Sequence, residues 1–292
     1  MGPGSEAGTT RVFVVTASNN TNALQNITGT VVLAGAGKMG GAMLTGWLAG
    51  GLDPRRVAVI EPHPSADISA LAAKGIRLNA TAKETGDVAT LVVAVKPQTF
   101  PEAGPALKPF VGSSTLVVSI MAGIPIAALE RVCGGSVVRA MPNTPAAIGR
   151  GITVAVAASK VSAAQRAVAD ALLRATGSVE WVDDEHLMDA VTAVSGSGPA
   201  YIFLLAEELA RAGVEAGLPV ELATKLARET VAGSGELLHR SEDSSATLRK
   251  NVTSPGGTTA AALEVLMGDG GLQQLMIRAV AAATKRSKEL AK

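Results

Sequence analysis

Five short runs of β-branched and aliphatic residues dominate the first half of the chain: Thr30–Ala34, Arg56–Glu61, Thr90–Val95, Thr115–Ile120 and Val137–Met141. Helical patterns such as Lys38–Ala49 and Ser65–Ala73 separate them. The runs are nearly continuous in hydrophobicity, which is the pattern of parallel strands covered on both faces. A strand–helix alternation of this kind predicts an open, doubly wound sheet. Ile152–Ala157 and Ser178–Val182 read as two closing strands around a helix near Ser162–Ala175. After Asp183 strand patterns cease. Helical stretches follow at Leu187–Val194, Pro199–Ala212, Val220–Leu238, Ala246–Val252, Thr258–Met267 and Gly271–Leu290. Pro199 suits a first helical turn, and Gly217-Leu218-Pro219 punctuates two helices. The expected fold is α/β: a Rossmann-type doubly wound sheet over residues 30–183, then an all-helical domain over 184–292. Residues 1–29, rich in Gly, Ser, Thr and Asn, read as a mobile tail with one strand-like run at Arg11–Thr16.

Composition narrows the function. The 292 residues have room for two domains and a large core. With 47% hydrophobic and 17% charged residues the chain is not of the disordered class. Aromatics are only 2%, so the core must be aliphatic. A net charge of +1 without a basic cluster gives no expectation of a nucleic-acid partner. A single cysteine, Cys133, excludes an intrachain disulfide and a thiolate zinc site. His63, His186 and His239 lack metal-ligand spacing, so no metal is expected. Cysteine usage of this kind fits a reducing, cytoplasmic setting. No apolar run approaches the roughly 20 residues that cross a bilayer, and the N-terminus lacks the features of a secretory signal. A helical domain this apolar invites association with a second copy.

Two glycine-rich turns carry the chemistry. The first, Gly35-Ala36-Gly37-Lys38-Met39-Gly40, follows the strand Val31–Ala34 at once and opens a helix. Glycine at 35 permits a tight turn, at 37 lets a pyrophosphate approach the backbone, and at 40 lets helix and strand pack closely. Glu61 lies 21 residues past Gly40 and ends the second strand run. A carboxylate there accepts a hydrogen bond from a ribose 2′-hydroxyl and repels a 2′-phosphate, which leans toward NADH over NADPH. The alternatives are a packing turn, a solvated carboxylate and, for the cofactor, a phosphate accommodated by His63 or a nearby arginine. Val95, Lys96 and Pro97 end another strand, where ligands bind in open α/β sheets. Lys96 is placed either for a cofactor or simply on the surface. Asn143 sits in a rigid loop between Pro142 and Pro145, where it serves either a nicotinamide or a plain turn.

The second turn, Ser254-Pro255-Gly256-Gly257-Thr258-Thr259, precedes an apolar helical run. Bare backbone N–H groups at a helix start hold a carboxylate without a cation. The alternative is an ordinary capped turn. Glu242, on the approach, reads locally as a solvated carboxylate.

Together these motifs resemble the pyrroline-5-carboxylate reductase family from about residue 30 to the C-terminus. The segments that carry the resemblance are Asp189–Tyr201, Ser254–Thr259, Ala94–Pro97 and Arg139–Pro145; the first two are specific to the family. The resemblance implies reduction of the C=N of Δ1-pyrroline-5-carboxylate to L-proline by NADPH or NADH, commonly NADPH. It implies a homodimer or a higher ring such as a decamer, with the active site where a cofactor domain meets helices of the dimer. It assigns the pyrophosphate to Gly35–Met39 and the cofactor cleft to Lys96, Pro97 and Asn143. The substrate carboxylate falls to Ser254, Gly257 and Thr258, with Gly256 in the same turn, and the ring nitrogen to Thr259. Glu242 matches a family carboxylate near the site. The stretch Ser195–Pro199 is assigned to close helix packing at the dimer core. Ala82, Ser244-Ser245 and Glu61 depart from common family residues and bear on cofactor preference, not on the reaction. Two rival readings remain: another Rossmann imine or β-hydroxyacid reductase, for which Lys225 and Lys250 lie in no recognisable motif, and a non-catalytic dinucleotide-sensing module.

Overall fold

The computed structural model describes residues 21–290, so the strand-like run Arg11–Thr16 lies outside the described residues. Eight strands form one sheet: β1 (Thr30–Ala34), β2 (Val57–Ile60), β3 (Arg77–Leu78), β4 (Val88–Val93), β5 (Leu116–Ser119), β6 (Ser136–Met141), β7 (Gly151–Ala157) and β8 (Gly177–Trp181). The spatial order is β3-β2-β1-β4-β5-β6-β7-β8. Strands β1 to β6 are mutually parallel, β7 runs antiparallel to β6, and β8 is parallel to β7. The winding reverses between β1 and β4, and at such a switch point a crevice opens beyond the strand ends.

The uninterrupted apolar runs have a simple cause. Val31 and Leu33 belong to one core layer with Met43, Leu44, Trp47, Leu172 and Leu173. Val32 and Ala34, on the opposite face, belong to another with Leu91, Phe100, Leu107, Leu129 and Cys133. Every position of β1 is therefore buried, and each large aliphatic side chain so covered contributes about 1.5–3 kcal/mol. Trp47, fully buried, donates its indole N–H to the Leu172 carbonyl at 2.8 Å and ties the helix Lys38–Ala49 to the helix Ala163–Arg174. The thiol of Cys133 is pushed up by burial and is correspondingly unreactive.

Several elements depart from expectation. The end of the tail is folded: Thr21–Gln25 is helical, Leu24 and Ile27 are buried, and the Arg56 guanidinium donates to the Ile27 carbonyl at 2.7 Å. The reading of residues 1–29 as a mobile tail therefore fails for 21–29, where two apolar side chains in a polar stretch suffice to dock the segment. Strand β3 is only two residues long and leaves no pattern to read. The helices Phe100–Leu107 and Ile126–Val132 also escaped the pattern, the first because Pro101, Gly104 and Pro105 obscure it. Met188–Val191 is α-helical, but Thr192–Gly196 winds as a π-turn, with Ser197 N–H bonded to the Thr192 carbonyl at 2.9 Å. The hydroxyls of Thr192 and Ser195 bond back to the carbonyls of Met188 and Val191, and Tyr201 donates to the Ala193 carbonyl at 3.0 Å. Short polar side chains that compete for backbone acceptors loosen the helix at this point.

The chain forms two compact units. Among the described residues, one unit comprises 21–204 and 269–290, and the other comprises 205–268. The helix Leu272–Leu290 packs on Met188–Gly196 within the sheet-bearing unit. There Ser287 donates to Asp189 at 2.7 Å.

In the second unit the helix Val220–Arg240 is followed by Ser245–Asn251 and Thr258–Met267. Of its apolar residues only Ala223 and Ala227 are buried, while Leu226, Leu237, Val265 and Leu266 are each about half exposed or more.

Candidate active site

The glycine loop of the sheet-bearing unit lies at the switch point. Gly35 donates to the Ile60 carbonyl at 2.9 Å, and Ala94 to the Ala34 carbonyl at 2.7 Å, so the ladder runs past the strands and fixes the loop between β2 and β4. Gly35 has φ +93°, and a Cβ there would lie 2.7 Å from the Ala94 carbonyl oxygen and 2.9 Å from the Val95 nitrogen. A Cβ at Gly40 would overlap the Gly35 carbonyl oxygen. These two glycines are required by packing alone. Gly37 differs: it is exposed, and a Cβ would meet nothing within 4 Å. It caps the helix Lys38–Ala49, yet no side chain bonds to that terminus. A bare helix start with no acidic residue in its first turn, and Lys38 beside it, favours a pyrophosphate. The open approach at Gly37 leaves room for such a group.

The surroundings of the loop are specific. Glu61 accepts the Ala36 N–H at 2.9 Å through one carboxylate oxygen and the His63 N–H at 3.1 Å through the other. The carboxylate is thus pinned over the loop rather than solvated. Val95 and Pro97 are half-buried, while Lys96 is exposed and its carbonyl accepts the Thr99 hydroxyl. Asn143 Oδ1 accepts the Ile152 N–H at 2.9 Å, so this amide closes the loop between β6 and β7. The helix Lys38–Ala49 packs against Thr144–Ile148, which brings the Asn143 loop to the cofactor helix. Met39 is half-buried and packs against the core layer below the loop. At Thr81 a capping box engages Glu84: the Thr81 N–H, then its hydroxyl, hold the Glu84 carboxyl below the usual range. Glu84 is therefore committed to its own helix.

Arg139, also in β6, is almost fully buried and pairs with Glu185 at 2.8 Å. The same carboxylate oxygen accepts the Ile126 N–H at 2.9 Å and caps a helix that its own Pro125 leaves uncapped. Gly196 packs so closely on Met141 that a Cβ would overlap the Met141 methyl. The family-specific stretch around Ser195 therefore has a packing role within one chain, at the end of β6.

The second turn belongs to the other unit. Gly257 donates to the Ser254 carbonyl at 3.0 Å, Gly256 takes φ +67°, and the helix Thr258–Met267 begins at Gly257 with no side-chain cap. The Thr258 hydroxyl is exposed and the Thr259 hydroxyl half-buried, and neither bonds to another described residue. Unsatisfied donors at a helix start, next to two uncommitted hydroxyls, are groups of the kind that can bind an anion. Glu242 is exposed on the turn between the helices Val220–Arg240 and Ser245–Asn251. Sequence reasoning missed Asn79, whose amide grips the Glu61 backbone; only its place just past a two-residue strand could have signalled it.

A doubly wound sheet with a glycine loop at its switch point, followed by helices that carry an uncapped turn, defines an NAD(P)-dependent oxidoreductase of the Rossmann type. Residues 30–123 match the profile of the NADP oxidoreductases described as coenzyme F420-dependent, and residues 185–290 match that of pyrroline-5-carboxylate reductase dimerisation. The chain belongs to the pyrroline-5-carboxylate reductase family. It is 40% identical to the enzyme of Pseudomonas aeruginosa over 265 residues, which cover 89% of this chain and 96% of that one. The structure of the Coxiella burnetii enzyme superposes with a TM-score of 0.83 at 36% identity, over 91% of this chain and 100% of that one. That of the Plasmodium falciparum enzyme with NADP bound superposes with a TM-score of 0.76 at 29% identity, over 92% and 99%.

Proposed function

We propose that the chain reduces the C=N bond of Δ1-pyrroline-5-carboxylate to give L-proline, with NADPH or NADH as reductant, as an enzyme of proline biosynthesis. The observation that carries this reading is the uncapped start of the helix Thr258–Met267, with the unbonded hydroxyls of Thr258 and Thr259. Bound cofactor supplies a hydride from C4 of its dihydronicotinamide to the imine carbon. The turn of Gly35, Ala36, Gly37, Lys38, Met39 and Gly40 holds its pyrophosphate through the uncapped N–H groups at the start of the helix Lys38–Ala49 and through the helix dipole, while the Gly35 and Ala36 N–H groups stay bonded to Ile60 and Glu61. Glu61 takes the adenosine ribose, and Val95, Lys96, Pro97 and Asn143 line the remainder of the cofactor cleft.

In the second turn, Ser254, Gly256, Gly257 and Thr258 hold the substrate carboxylate, and the Thr259 hydroxyl hydrogen-bonds the ring nitrogen. The imine accepts a hydride far better once protonated. The proton arrives from solvent or on binding, and Glu242 is the family-matched carboxylate on the approach to the turn. Most of the acceleration is then orientation of two planar rings. The enzyme works in the cytoplasm as a homodimer or a higher ring such as a decamer. Support for association comes from the exposed Leu226, Leu237, Val265 and Leu266 and from the match to a dimerisation profile.

The test is cofactor oxidation with Δ1-pyrroline-5-carboxylate, with 3-hydroxy acids and with no substrate. Oxidation with the imine alone supports the reading. Oxidation only with hydroxy acids, or with none, rejects it.

A further inference from the structure

We infer that Asn79 is a positioning residue that holds Glu61 against the glycine loop and thereby makes NADH the preferred reductant. This deepens the reading above and rests on its placing a dinucleotide at Gly35–Gly40.

Strand β3 ends at Leu78, yet the ladder does not end there. Asn79 N–H donates to the Val59 carbonyl at 2.7 Å. The Asn79 side chain then takes over the role of a neighbouring strand. Its Oδ1 accepts the Glu61 N–H at 2.8 Å, and its Nδ2 donates to the Glu61 carbonyl at 3.0 Å. Both backbone groups of Glu61 are satisfied by one amide, just past the last residue of β2. To reach this position Asn79 adopts φ +53°, the one non-glycine residue in the left-handed region among the described residues. Asparagine tolerates that region better than other L-residues.

With its backbone gripped, Glu61 directs its carboxylate back onto the loop, where the N–H groups of Ala36 and His63 fix both oxygens. A negative charge is thus held at the end of the second strand, where the ribose of the adenosine half lies in this fold class. It accepts hydrogen bonds from a 2′-hydroxyl and repels a 2′-phosphate. Among the described residues, the arginines on this edge of the sheet already have partners. Arg55 is bonded to Asp53, Arg56 to the Ile27 carbonyl, and Arg77 to the carbonyls of Glu84 and Thr85 and the Thr30 hydroxyl. The preference is opposite in direction to the NADP found in the Plasmodium falciparum structure.

The test is calorimetric titration of the purified protein with NADH and with NADPH, without substrate, for the wild type, Asn79→Ala, Asn79→Gly and Glu61→Gln. Asn79→Gly keeps the left-handed backbone accessible and removes only the amide, which separates positioning from strain. The wild type should bind NADH at least about tenfold more tightly than NADPH. Each variant should shrink that ratio several-fold toward parity, mainly by weakening NADH. Tighter binding of NADPH by the wild type overturns the preference. An unchanged ratio in Asn79→Gly, or an equal loss for both cofactors, overturns the positioning role. Binding of neither dinucleotide by the wild type overturns the assignment of the glycine loop itself.

Discussion

The two glycine turns look alike in sequence and differ in what enforces them. Both open a helix, and both leave its first N–H groups without a side-chain cap. In the first turn the chain's own packing dictates glycine: Gly35 and Gly40 are buried against backbone, and only Gly37 faces open space. In the second turn little surrounds the glycines. A Cβ at Gly256 would meet nothing within 4 Å, and one at Gly257 would lie 3.1 Å from the Ser254 carbonyl oxygen. The first turn is enforced by the sheet it terminates, whereas the surroundings of the second leave its glycines largely free. Substitutions in the first should therefore divide into those that damage the fold and those that damage binding, whereas in the second, apart from Gly256 with its left-handed backbone at φ +67°, binding effects should dominate.

Gly40→Ala should have the largest effect. Its Cβ would meet backbone that cannot move aside, so stability should fall by about 3 kcal/mol or more. Thermal unfolding should then show a Tm lower by about 6–12 °C, with cofactor binding lost. Gly37→Ala should leave the Tm within about 2 °C, because a weaker cap and a less flexible unfolded chain roughly offset. It should nevertheless weaken NADH and NADPH by about tenfold or more in a binding titration. A large loss of Tm in this variant would erase the distinction between the glycines of the first turn. Gly257→Ala should change stability by less than about 1 kcal/mol while raising KM for the imine about tenfold, with cofactor affinity intact. Thr259→Ala should have the smallest effect, a several-fold fall in turnover at unchanged cofactor affinity. Unchanged turnover would remove its hydroxyl from the reaction.

The same contrast explains what was legible in the sequence. Strand β1 and the helices Lys38–Ala49 and Thr258–Met267 have the bounds their patterns predict, since hydrophobic period and turn residues agree there. The glycine loop was readable because strand, turn and helix are contiguous. Elements held by distant partners were not. Residues 21–29 dock through Leu24, Ile27 and the bond from Arg56 to the Ile27 carbonyl, β3 exists through two pairings with β2, and Ser195-Gly196 lies in a π-turn whose glycine is fitted to Met141. Glu61 was found by its spacing from Gly40, but the Asn79 amide that orients it appears only when β2 and β3 lie side by side. Helical period likewise does not reveal that residues 269–290 pack with the sheet-bearing unit.

The most direct measurement is a crystal structure of the protein with L-proline. The proline carboxylate should lie on the N–H groups at the start of the helix Thr258–Met267, with the ring nitrogen within hydrogen-bond distance of the Thr259 hydroxyl. Proline bound elsewhere, with that helix start left to water, would contradict the account.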